Sequence, residues 1–198
     1  MVLTGRDIRV AVVALALAAL ITGAVGASVI FSGRFDVAAT TPHWRITHWV
    51  LETARTQSIR HHATGLTAPA GLDNEENLVM GTEHFAAHCA VCHGAPGVPR
   101  GDIAHGLYPP PPDLSVQTRY TKPELFWVLR HGIKSTGMPA WKDHDDRALW
   151  SIVAFLRRLP EMGEADYAKL IMTGLAGGGQ HHHGDAEVPA GDSGAAPH

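Results

Sequence analysis

The sequence predicts an all-α protein, with one membrane-crossing helix at the N-terminus followed by a small helical domain. Two observations lead there. Val10 to Gly33 is a run of about 24 residues without a charge, and about 20 are enough for a helix to cross the hydrocarbon core of a bilayer. Downstream, apolar residues recur at helical spacing between recognisable helix starts and stops, separated by proline- and glycine-rich loops. The 198 residues leave room for one domain of ordinary size beside these extra segments. A formal net charge of -3 makes no case for nucleic-acid binding. Two cysteines three positions apart cannot staple a whole fold.

Arg6 and Arg9 precede the uncharged run, and Arg34 and Asp36 end it. Positive residues flank the cytoplasmic side of a span, so everything after Arg34 is expected on the exported side. Residues 1–33 read as a retained anchor in the inner (cytoplasmic) membrane. The alternative is a cleaved secretory signal, for which Ala24, Gly26 and Ala27 supply small residues. The mature chain, cut after about residue 27, would then be periplasmic.

Residues 34–72 read as a connector with an amphipathic helix. Thr41-Pro42 suits a helix start, and Ile46, Trp49, Val50 and Thr53 fall on one helical face. With Trp44, Trp49 and several basic residues near a membrane span, this helix suits a headgroup-level position or a contact with the domain or a partner. Residues 73–160 read as the folded domain. Asn74 caps a first helix running through Leu78 and Phe85 to Cys89. Arg100 to Gln117, with Pro109–Pro112, is loop. Thr121-Lys122-Pro123-Glu124 is a capping box with proline in the first turn, and Gly132 suits the left-handed residue after the helix. Asp145 or Asp146 caps a last helix with Leu149, Trp150, Val153 and Leu156 inward, stopped by Pro160. Residues 161–198 form an extension, expected to be largely disordered from about residue 174 because Gly, Ala, His and acidic residues give it little to pack. His181–His183 lie in that tail.

Cys89-Ala90-Val91-Cys92-His93 carries the chemistry. On a helical turn, residues three and four apart share a face, so both thiols can reach one edge of a planar macrocycle and His93 can turn its imidazole onto a central metal. The pattern C-x-x-C-H reads as covalent attachment of one c-type haem. A thioredoxin-like pair belongs at the start of a helix, whereas this pair ends one. A zinc site wants four ligands, and there is no second cysteine pair. A six-coordinate haem iron needs a second axial ligand. Among five methionines, Met138 stands in the loop Ser135-Thr136-Gly137-Met138-Pro139, with no core to fill. His84, His88, His105, His131 and His144 are the alternatives.

Leu78 to Pro160, about 80 residues, resembles a class I monohaem cytochrome c in a membrane-anchored form. Gly81 and Phe85 before C-x-x-C-H match the family's first helix, Met138-Pro139 its ligand loop, and Trp150 and Phe155 its last helix. The resemblance implies that the terminal helices cross at Gly81 and that His93 and Met138 are the axial iron ligands. It also implies that a carbonyl within Pro109–Pro112 accepts the His93 ring N–H, with Leu114 on the haem face and Trp141 near a propionate. It further implies an electron-transfer protein rather than an enzyme, exchanging electrons with redox partner proteins as a tethered carrier or as a cytochrome subunit of a dehydrogenase or respiratory complex. A catalytic or gas-binding haem with a labile distal ligand is the competing reading.

Overall fold

A computed structural model describes residues 4–116 and 119–177. The chain divides into two compact units, one ending at Trp44 and the other starting at Arg45. In the first, α1 (Gly5–Phe31) opens with a capping box: Asp7 N–H donates to the Thr4 hydroxyl oxygen and Thr4 N–H donates to the Asp7 carboxylate. None of its residues is buried, and Leu15, Leu20 and Ile30 are exposed on different sides. A helix that is apolar all round belongs in lipid or in a large core. From Val10 to Phe31 it rises about 33 Å, enough to cross a hydrocarbon core of about 30 Å.

The second unit is helical throughout, with no strand among the described residues. It comprises α2 (Arg45–His62), α3 (Glu75–His84), a π turn (Phe85–Cys89), α4 (Ala90–His93), α5 (Asp102–His105), α6 (Lys122–His131), α7 (Asp146–Arg158), a 3₁₀ turn (Leu159–Glu161) and α8 (Glu164–Gly177). α7 is the centre of the core, and every residue from Ala148 to Leu156 is buried. Asp145, not Asp146, caps it, accepting from Ala148 N–H at 2.7 Å. α3 crosses α7 at Gly81, where a Cβ would lie 2.1 Å from the Ser151 carbonyl oxygen. Only a residue without a side chain permits that approach, which explains a glycine inside a helix despite its cost of about 1 kcal/mol. One turn further on, Phe85 and Phe155 bring their rings to 4.9 Å. α6 joins from the other side, with Phe126 stacked on Trp150 at 4.3 Å. Its start carries the Thr121/Glu124 capping box, and Gly132, at φ 64°, ends it.

Four sequence expectations change. First, α2 starts at Arg45 rather than at Thr41-Pro42, because Thr41 instead closes a turn on Asp36, donating its hydroxyl to that carboxylate at 2.7 Å. Second, of the positions left open for this helix, it takes contact with the domain, through the face opposite its apolar one. Ile46, Trp49 and Val50 face outward, whereas Glu52, Arg55, Thr56 and Ile59 face the domain. Ile59 is 1% exposed and Trp49 64%. The connector helix therefore lies in the second compact unit, which starts at Arg45. Third, the stretch from Arg100 is not wholly loop, since α5 forms one turn in it. Fourth, the fold continues past Pro160. α8 packs on α3 and buries Tyr167, whose ring lies 6.2 Å from Phe155. Residues 174–177 continue α8, and the rest of the expected tail, with His181–His183, lies outside the described residues.

Candidate haem site

The site is built on the first helix of the domain. Asn74 starts α3 by accepting from Asn77 N–H at 2.8 Å. After His84 the helix widens, and Ala90 N–H donates to the Phe85 carbonyl five residues back. Such π turns interrupt helices most often at functional sites. Here the wide turn buries Phe85 against α7 and Cys89 beside it, and leaves Cys92 and His93 on the next turn. Gly94 then ends the helix at φ 72°.

Cys89, Cys92 and His93 line one cavity of about 780 Å³, within the range of cofactor pockets. His93 is fixed within it. Its Nδ1–H donates to the Pro112 carbonyl oxygen at 2.9 Å. Pro112 is thus the acceptor within the proline run, and Nε2 is the nitrogen left for a metal. Burial lowers the His93 pKa, against the raising effect of the Pro112 carbonyl and with a smaller lowering effect from Arg100. The neutral imidazole is the metal-ligating form. Burial, with a contribution from Cys92, pushes the Cys89 thiol up to about 12. That is the opposite of a redox-active C-x-x-C pair, whose attacking thiol is lowered.

Met138 lines the same cavity. Its loop is tightly held. Met138 N–H donates to the Thr136 hydroxyl oxygen at 3.1 Å, and Ile133 N–H donates to the Met138 carbonyl at 3.1 Å. Trp141 N–H donates to the Leu129 carbonyl at 2.9 Å. At Gly132 a Cβ would lie 2.7 Å from the Pro139 carbonyl carbon, so the chain can fold back there only without one. Leu114 and Trp141 also line the cavity. Of the alternative histidines, His88 lines it, whereas His84, His105, His131 and His144 do not.

Sequence reasoning missed one wall. His48, Glu52 and Arg55 of α2, with Arg119, add polar groups to a mainly apolar cavity whose walls include Leu125, Val128, Leu129, Ile152 and Leu156. Glu52 accepts from the guanidinium groups of both Arg55 and Arg119. Arg55 Nε is buried without a hydrogen-bond partner. The available signal was the spacing of His48, Glu52 and Arg55 on one helical face.

These residues fit a haem. Apolar walls suit its macrocycle, the two thiols suit its vinyl edge, and a cationic end with an unsatisfied donor suits its propionates. Arg55 and Arg119 are the residues that would hold those carboxylates.

Residues 76–156 match the family model for cytochrome c oxidase, cbb3-type, subunit III. No curated protein and no solved structure gives a significant match. Residues 76–156 are therefore a monohaem cytochrome c domain, with a covalently bound c-type haem as cofactor and electron transfer as its role, in a chain that also has one N-terminal helix of membrane-crossing length and composition.

Proposed function

We propose that this chain carries single electrons through a haem bonded to Cys89 and Cys92 and ligated by His93 and Met138, tethered by α1 to the outer face of the inner membrane. The observation that carries the ligand assignment is that His93, with Nδ1 held by Pro112, and Met138, in a locked loop, line the one cavity that also holds both cysteines. When bound, the haem supplies one-electron cycling of its iron. The chain's residues set the terms. His93 presents Nε2 in a fixed orientation, because a held second nitrogen fixes both tautomer and basicity. Met138 offers a soft thioether that favours the reduced state and raises the potential. Leu125, Leu129 and Leu156 keep water out and penalise extra charge. His93 and Met138 would both ligate the iron and leave it no position for a substrate, which favours a carrier over a catalytic or gas-binding haem.

Arg6 and Arg9 before α1 support an exported haem domain. The description of the matched family, a subunit of a cytochrome c oxidase, supports a cytochrome subunit of a respiratory complex over a free carrier.

The test is Met138→Ala in the haem-loaded protein. The expected result is loss of the weak red methionine-to-iron charge-transfer band, a lower potential and carbon monoxide binding to the reduced form. An unchanged spectrum would remove Met138 as ligand, and ready carbon monoxide binding by the parent would overturn the carrier reading.

A further inference from the structure

Three imidazoles converge beside the haem cavity. His84 ends α3, and His88 lies four residues on, in the π turn. His144 reaches them from the loop that follows Met138, placed there by its own N–H donating to the Trp141 carbonyl at 3.2 Å. One ring nitrogen from each lies within 4.8 Å of the others. The ring centroids are 5.6 Å apart for His84 and His144, 6.2 Å for His88 and His144, and 6.3 Å for His84 and His88. Trp141 backs the group, with its ring 5.1 Å from His88 and 5.2 Å from His144.

We propose that His84, His88 and His144 bind one divalent transition cation, Zn²⁺ or Cu²⁺, leaving a fourth position open to water. Three nitrogens about 2.0–2.1 Å from a tetrahedral ion lie about 3.4 Å apart. Closing from 4.8 Å needs shifts of an ångström or so, within reach of side-chain rotations, since His88 is exposed and His84 and His144 only partly buried. An all-imidazole donor set selects zinc or copper over magnesium or calcium, which require oxygen ligands. The ligands come from two separate segments, the first helix and the loop carrying Met138. A bound ion would therefore clamp that loop onto α3 and stabilise the folded chain by mass action.

The test uses the full-length haem-loaded protein with His181, His182 and His183 changed to Ala, so that the tail cannot compete. Zn²⁺ and Cu²⁺ are titrated separately by calorimetry, and uptake of either supports the site. One ion per chain is expected. Each of His144→Asn and His84→Asn should weaken binding at least roughly tenfold, the lower end of what even outer partners of a metal cost. His105→Asn should leave binding unchanged. The unfolding midpoint should rise with the ion in the parent and stay put in His144→Asn. An unchanged haem absorption per chain shows that each variant folds. Equal affinity in His144→Asn and the parent, or no uptake of either ion by the parent, would overturn the proposal.

Discussion

α7 and α2 are both helices with apolar residues at helical spacing, yet the spacing points inward in one and outward in the other. α7 buries Leu149, Trp150, Val153 and Leu156 as its pattern predicts, because it packs on α3 and α6 and its cavity side, Ile152 and Leu156, is part of the apolar wall. α2 turns Ile46, Trp49 and Val50 outward and presents Glu52, Arg55 and Ile59 to the domain. Its inner neighbour is partly the cavity, at the end lined by Glu52, Arg55 and Arg119. A hydrophobic stripe goes in against side chains and against the apolar wall of the cavity. At the end where Glu52 meets Arg55 and Arg119, the polar stripe is the one that goes in.

This contrast can be broken at its firmest point. Gly81→Ala places a Cβ on the Ser151 backbone at the crossing of α3 and α7. Helix backbones cannot give way as a flexible side chain can, so a loss of about 3 kcal/mol or more is expected, beyond the usual range for overpacking. Thermal unfolding of the haem-loaded protein should show it as a drop of about 10 °C, and an unshifted midpoint would mean the crossing is looser than described.

The inner face of α2 should act on the haem instead. Arg55→Met removes a partly buried cation from the polar end of the cavity and leaves Glu52 with Arg119 as its guanidinium partner. A lost positive charge makes the oxidised iron easier to hold, so the potential should fall by on the order of tens of mV. Redox titration checks this, and a rise or no change would place the propionates elsewhere.

The outer face should matter least to folding. With Trp49 64% exposed, Trp49→Ala should change stability by no more than about 0.5 kcal/mol in urea unfolding. A loss above about 1 kcal/mol would mean that this face is covered in the isolated protein.

Much of the site was legible in advance because its signals are local. Cys89, Cys92 and His93 are brought to one cavity by a single helical turn. The ends of α6 and α7 follow from caps at Thr121 and Asp145 and from the stops at Gly132 and Pro160. Met138 could be singled out because a methionine in a glycine–proline loop has no local reason to be there. α8 was missed because its stripe is weak, and Tyr167 gains its partner only from Phe155, twelve residues earlier in the chain. The π turn was missed because a widened helix leaves no mark on spacing at this scale.

By itself the sequence determined an uncharged run long enough to cross a membrane, a haem-attachment motif, and helix ends written in capping residues. Each depends on interactions within a few positions of the chain. Only the tertiary structure decided that Pro112 holds His93, that α2 closes the cavity with Glu52 and Arg55, and that His84 and His88 meet His144. Those contacts join residues 19 to 67 positions apart, and a pairing over such distances is settled by how α3, α6 and α7 pack, not by any local preference of the residues that meet.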